Sequence, residues 1–368
     1  MDTKDFRQHL HRNPELSFEE HQTAAFISEQ LSEMGVEYRP IAGTGILARI
    51  EGRKGNLERC VVLRTDIDAL PIDEMTGVEF ASQNCGVMHA CGHDCHAAML
   101  YGVVKRLQME RDFEGTVLAL FQPGEEKVPG GASLVLKENP FDKYKVAAVI
   151  GQHVDADLEV GEIGFCPGKF MASVDELYFK IKGVGGHAAV RGKVKDAVVA
   201  TADLILRLNM LNSDVCVVSV GNVEAKGASN VIPDEVICDG TMRTFSEKLR
   251  QRVKAMIANI VEEIEYKHNV EVVLDMHEGY PCVENDMQLT YEAMLLSDSL
   301  GYKTKDLEMR PTAEDFGYYT QFYPSLFYRL GVGRNVGRAH TATFLPEDKA
   351  LDVGEEFMYR LALSILNK

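Results

Sequence analysis

No run of about 18 apolar residues occurs, which argues against a helical membrane span. Positive charge is scarce: 39 Lys and Arg face 56 Asp and Glu, a formal net charge of −17. A nucleic-acid binder needs a basic surface to displace counterions, so that class is disfavoured, and the acidity reads as solubility. The first residues, Met1-Asp2-Thr3-Lys4-Asp5, lack the apolar core of a secretory signal. Eight cysteines at irregular spacing in such a chain read as reduced thiols, and the expected location is the cytoplasm. Internal repeats, low-complexity tracts and charge blocks are also missing. What is there, 45% hydrophobic and 26% charged residues over 368 positions, is a globular composition long enough for two domains.

The densest chemistry lies in Met88-His89-Ala90-Cys91-Gly92-His93-Asp94-Cys95-His96, just ahead of an apolar run. Soft and borderline ligands gathered before a helix suggest a transition metal. The spacing of Cys91 and His93 is not a zinc-finger knuckle, because no second Cys/His pair follows at a regular interval. The remaining ligands would have to come from distant segments, as in a catalytic site.

Residues 4–35 read as two helices broken at Pro14, with Ser17 and Glu20 resembling a capping box for the second. His11, between them, reads as a helix-end or hydrogen-bonding residue. The run Cys60-Val61-Val62-Leu63-Arg64 predicts a buried strand ending in Asp66 and Asp68. Open α/β sheets place their chemistry there, although Asp also suits a plain strand-to-loop turn. A helix is expected over 97–109, then a strand over 115–121 ending in Gln122-Pro123-Gly124-Glu125-Glu126. A further strand, 147–150, ends in Gly151-Gln152-His153. This rhythm predicts an α/β domain with a mainly parallel sheet.

Near residue 170 the pattern changes. From there the order β-α-β-β-α-β matches an inserted ferredoxin-like α+β module. The expected division is 1–170 with 281–368 for the catalytic domain and 171–280 for the insert. Asp66/Asp68, Cys91/His93, Glu125/Glu126 and His153 would then share one sheet edge, with His340 on a late loop. A thiolate, imidazoles and a carboxylate suit two divalent ions, Zn²⁺, Mn²⁺ or similar.

The chain resembles the aminoacylase/carboxypeptidase family of dinuclear metallopeptidases, in its hippurate hydrolase, auxin-conjugate amidohydrolase and N-acetyldiaminopimelate deacetylase branch. The resemblance rests on His11-Arg12-Asn13-Pro14-Glu15-Leu16, Arg64-Thr65-Asp66-Ile67-Asp68-Ala69-Leu70-Pro71 and His89-Ala90-Cys91-Gly92-His93-Asp94. It continues through Phe121-Gln122-Pro123-Gly124-Glu125-Glu126, Gly185-Gly186-His187-Ala188-Ala189, Asn230-Val231-Ile232-Pro233, Gly240-Thr241-Met242-Arg243-Thr244 and Glu314-Asp315-Phe316. It implies a zinc-peptidase-like catalytic domain whose inserted module serves as lid and dimerisation domain, and hence a homodimer.

By that resemblance Cys91, His93, Glu126, His153 and His340 would bind two divalent ions, Zn, Mn or Co. Glu125 would be the general base for a metal-activated water, and Asp68 would orient His93. Strand geometry gives the two roles a physical basis: consecutive side chains point opposite ways, so one carboxylate coordinates while the other reaches the water. His187 would stabilise the tetrahedral oxyanion, often from the partner subunit, and Asn230 and Arg243 would hold a substrate carboxylate. For Arg243 a surface salt bridge is the other reading.

The implied activity is metal-dependent deacylation of N-acyl-amino acids. A dipeptidase or carboxypeptidase of the same family, and a catalytically silent metal- or ligand-binding relative, are the alternatives. The chain departs from the family pattern after Ala189, where Val190-Arg191-Gly192-Lys193-Val194-Lys195 replaces the usual Pro-His, and at Arg338-Ala339-His340-Thr341.

Overall fold

Runs that are apolar on both faces become the middle of a sheet, as parallel strands covered on both sides must. In the computed structural model, which describes residues 1–368 and of Arg191 the backbone only, Arg59–Asp66 is buried from Cys60 onward and Thr116–Gln122 throughout. Arg59–Asp66 pairs in parallel with Thr116–Gln122 on one side and Lys145–Asp155 on the other. The eight-stranded sheet runs Glu37–Ile41, Gly45–Glu51, Thr116–Gln122, Arg59–Asp66, Lys145–Asp155, Ser325–Gly331, Glu162–Phe165, Lys303–Asp306. Its antiparallel pairs lie toward the margins and its parallel ones dominate the centre.

His93–Glu110 packs on both Thr3–Arg12 and Lys349–Leu366, and it and Lys349–Leu366 also pack against Arg59–Asp66. The helix expected over 97–109 starts earlier, so His93 stands in its first turn. Gly92 makes that start possible: its φ is +86°, and a Cβ there would lie 2.6 Å from Val154 Cγ2.

The expected capping box is not formed. His21–Glu33 is capped instead by the Glu15 carboxylate, which accepts the Gln22 and Thr23 backbone N–H groups at 3.1 and 2.8 Å. The Ser17 hydroxyl donates to Asp68, and Glu20 turns toward Thr44 and Gly124. Both had closer polar partners across the fold than along the chain.

This unit comprises Met1–Gly168, Glu284–Glu308 and Asp315–Lys368; the second comprises Lys169–Val283 and Met309–Glu314. In the second, Asp175–Lys182 buries Leu177, Phe179 and Ile181 and turns the alternate residues outward. Its four-stranded antiparallel sheet runs Cys216–Ala225, Glu235–Thr244, Asp175–Lys182, Glu271–Glu278, the ferredoxin-like order. The helices Ala197–Asn209 and Glu247–His268 complete its core through Leu204, Val253 and Ile257. Residues 309–314 join this unit because Ala172 N–H donates to the carbonyls of Arg310 and Thr312, and Arg310 N–H to Phe170. Among the described residues no helix is long and apolar enough to cross a membrane.

Candidate metal centre and active site

The C-terminal ends of the parallel strands deliver Asp66, Asp68 and the 123–126 bend to the start of the His93–Glu110 helix. His93 Nδ1 lies 2.9 Å from the Asp68 carbonyl and 3.1 Å from Asp68 Oδ1, so it carries the proton and donates. Its Nε2 is buried without a hydrogen-bond partner. His153 repeats the arrangement: Nδ1 donates to the Val154 carbonyl at 2.7 Å, and Nε2 lies 3.3 Å from Cys91 Sγ. His153 sits inside Lys145–Asp155, since that strand runs five residues beyond the expected end at 150.

Glu125 and Glu126 do not continue Thr116–Gln122, so strand alternation is not what separates them. They occupy a bend after Gly124, whose φ is +59°. The Glu126 backbone N–H donates to Asp68 Oδ2 at 2.9 Å, so one carboxylate braces both His93 and the bend. Glu126 Oε1 lies 3.2 Å from His340 Nε2 but is not aligned for a hydrogen bond, and it is buried. His340, half-exposed with φ +64°, is tied back through its N–H to the Ala90 carbonyl at 2.8 Å.

Three sets of donors converge: Cys91, His93 and His153; Cys91, Glu126 and His340; His93, Glu125 and Glu126. Within each set the ligand atoms lie within 4.8 Å of one another. Cys91 belongs to two of them. Burial pushes its thiol up to about 12, with neighbouring carboxylates adding to the rise and His93 opposing it. Burial also acts to keep His93 neutral, yet Asp66, Cys91 and Asp68 outweigh it and hold His93 well above its ordinary value. The same negative surroundings would favour a cation at its free nitrogen. Burial, helped by Arg329, holds His153 well below the ordinary value and leaves its lone pair available. Buried donor atoms without hydrogen bonds, imidazoles and a thiol form a set that fits divalent transition-metal ions.

His96 shows why proximity alone is not ligation. It forms a group with Asp66 and His93, but its Nδ1 lies 2.6 Å from Asp66 Oδ1 and its Nε2 accepts the Val154 N–H at 2.9 Å. Both nitrogens are spent. Asp66 also accepts from Arg64 Nη1 at 2.8 Å, and Arg64 Nη2 donates to Asp315 at 2.7 Å. Nothing in the sequence reveals this buried lattice, although Asp66, His96 and Asp315 all stand in its motifs.

A second lattice flanks the site. Arg7 Nε and His11 Nδ1 meet Asp94 Oδ2 at 3.1 and 2.8 Å, and His11 Nε2 lies 3.2 Å from Glu74. His11 is therefore the hydrogen-bonding residue its position suggested.

In the second unit, Gly186–His187 pairs with Val231–Ile232, and the Ala188 N–H donates to the Asn230 carbonyl at 2.9 Å, making His187 and Asn230 neighbours. Both are exposed. Arg243, half-buried on Glu235–Thr244, borders an open depression of about 420 Å³ with Glu176, Tyr178 and Thr241. Burial lowers its pKa, which Glu176 partly offsets.

The sequence pattern of Peptidase family M20/M25/M40 matches residues 62–364. The chain belongs to that family. This M20 member is 35% identical to the N-acetyl-L-cysteine deacetylase of Bacillus subtilis over 98% of its own length and 87% of the relative's. It is 36% identical to the N-acetyldiaminopimelate deacetylase of Exiguobacterium sibiricum, covering 94% and 95% of the two chains. Among solved structures, the YXEP protein of Bacillus subtilis, described as a dinuclear metal binding peptidase from the M20 family, superposes with a TM-score of 0.88. That pair shares 34% identity over 99% of this chain and 97% of the other.

Proposed function

We propose that this M20 member is a metal-dependent amidohydrolase that cleaves the amide of an N-acyl-amino acid. Two divalent ions, Zn, Mn or Co, would be held by Cys91, His93, Glu126, His153 and His340. When bound, such ions supply Lewis acidity that acidifies a water and polarises the amide carbonyl. Glu125 takes the proton of the attacking water and returns it to the amine nitrogen as the C–N bond breaks, leaving a carboxylic acid and a free amino acid. Asp68 fixes the ring of His93 so that Nε2 faces the donors. His187 donates to the developing oxyanion, and Asn230 and Arg243 hold the free carboxylate. For these three residues the support is the family motifs that carry them.

The observation that carries the reading is the convergence of five candidate ligands with a neighbouring buried carboxylate, Glu125. None of the eight cysteines is disulfide-bonded, an arrangement that suits a cytoplasmic location. A homodimer through the second unit is supported by exposed apolar residues on its Ala197–Asn209 helix and just beyond, Val198, Val199, Leu206 and Met210.

Metal analysis joined to a hydrolysis screen tests this. N-acetyl- and N-benzoyl-amino acids are assayed beside dipeptides with free amino groups, before and after chelation. Turnover of acyl-amino acids that disappears on chelation and returns with Zn²⁺, Mn²⁺ or Co²⁺ is expected. Cleavage of dipeptides alone would make the enzyme an exopeptidase, and no turnover by metal-loaded protein would leave a silent binding relative.

A further inference from the structure

The segment 15–20 reaches the 123–126 bend and its Asp68 brace by three separate routes. The Glu20 side chain is fully buried, where a carboxylate is costly unless it is hydrogen-bonded. One of its oxygens accepts the Gly124 N–H at 2.8 Å and the other the Thr44 hydroxyl. Phe18 lies against the same residue: a Cβ on Gly124 would come within 2.2 Å of Phe18 Cε1. Phe18 itself has φ +67°, a left-handed backbone that a bulky side chain rarely adopts unless its surroundings impose it. Ser17 donates to Asp68 Oδ2 at 2.7 Å, on the oxygen that also receives the Glu126 N–H. The segment is anchored by a parallel bridge between Leu16 and Ala69 and by the Ala69 N–H on the Glu15 carbonyl at 2.8 Å.

We propose that Glu20 is a positioning residue for the reaction: by holding Gly124 against Phe18 it fixes the bend that aims Glu125 and Glu126. The inference rests on the function proposed above, because it gives those two glutamates their roles. Glu20 touches no reacting atom. Its contribution is reach, an acceptor at the distance where the Gly124 N–H points, rather than negative charge. A carbonyl oxygen at the same place serves equally, and a carboxylate drawn back by one methylene does not.

Two near-isosteric variants separate these contributions. Glu20→Gln keeps the acceptor and loses the charge; Glu20→Asp keeps the charge and loses the reach. Steady-state kinetics are measured on an acyl-amino acid that the wild type cleaves, with thermal stability and bound metal measured in parallel. Amide hydrogen exchange over residues 123–127 is followed in chelated protein, so this arm does not depend on activity.

Glu20→Asp is expected to lower kcat about 10- to 100-fold, the scale of a displaced reacting group, with KM little changed and exchange over 123–127 faster. Glu20→Gln is expected to keep most of kcat and the slow exchange. The proposal is overturned if Glu20→Asp matches wild type in kcat and exchange, or if both variants lose kcat equally at unchanged stability. Should Glu20→Asp not fold, Phe18→Leu decides: faster exchange with lower kcat supports the clamp, and wild-type values of both overturn it. If the wild type cleaves nothing in the screen, the proposed function has failed, and the exchange arm still decides whether Glu20 orders the bend.

Discussion

Asp68 holds His93 from behind, with its backbone carbonyl 2.9 Å and its Oδ1 3.1 Å from the ring Nδ1. Its other oxygen takes the Ser17 hydroxyl and the Glu126 N–H. Burial would raise the Asp68 pKa, but the hydrogen bond and charge of His93 and the N–H of Glu126 outweigh it and hold the carboxyl below its ordinary value. One ionised side chain thus sets the ring orientation of one candidate ligand and the backbone of another.

Replacing that carboxylate should loosen the metal centre without unmaking the fold. Asp68→Ala is expected to weaken metal affinity by about 10- to 100-fold, the usual cost of losing a residue that orients a ligating histidine. Chelator competition measures it. An affinity equal to wild type would remove Asp68 from any role in the centre.

Glu125→Gln keeps the size of the side chain and abolishes its basicity. Loss of a general base of this kind costs about 10²- to 10⁴-fold, here expected in kcat, with bound metal unchanged by elemental analysis. If kcat stayed within a few-fold of wild type, the proton would have to be taken elsewhere.

Metal removal should also be visible in stability. A ligand that binds only the folded chain stabilises it by mass action, about 2.7 kcal/mol at a free concentration of 100 Kd. Without a cation the buried His93 Nε2 has no hydrogen-bond partner. Tm should therefore fall in chelator and climb with added Zn²⁺ or Mn²⁺; a Tm indifferent to both would argue against ions at this place.

Much of this arrangement was legible in the sequence, and what was not has a physical reason. Cys60-Val61-Val62-Leu63 reads as a buried parallel strand because both its faces are apolar, and β-α-β-β-α-β follows from alternation and periodicity in the second unit. The ends of elements were harder. His93 starts a helix because Gly92 accepts a left-handed backbone in a space that admits no Cβ, a tertiary condition. Glu125 and Glu126 leave the strand for a bend whose shape depends on Gly124 meeting Phe18 and Glu20, over a hundred residues earlier. Ser17 and Glu20 have the spacing of a local cap, and nothing local reveals that Asp68, Thr44 and Gly124 compete for them. His96 is the converse case: adjacent to the motif and rich in donor atoms, it is disqualified by two hydrogen bonds that only the fold supplies.

His11 carries the last prediction, a dependence of stability on pH. Burial alone would keep its imidazole neutral, but the charge and hydrogen bond of Asp94 and the hydrogen bond of Glu74 prevail and push its pKa up to about 9, from an ordinary 6.5. Because the folded value is the higher one, the protonated ring stabilises the fold fully below 6.5, and that contribution fades as pH rises toward about 9. His11→Gln removes the titrating group while retaining a polar side chain. The Tm difference between wild type and His11→Gln, both in chelator, should be largest near pH 6 and shrink steadily to about pH 9. Comparing the two proteins at each pH cancels every other titration they share. A difference that stays constant across the range would mean that His11 is a neutral ring donating to Asp94 or to Glu74 but not to both, and that its charge contributes nothing to the fold.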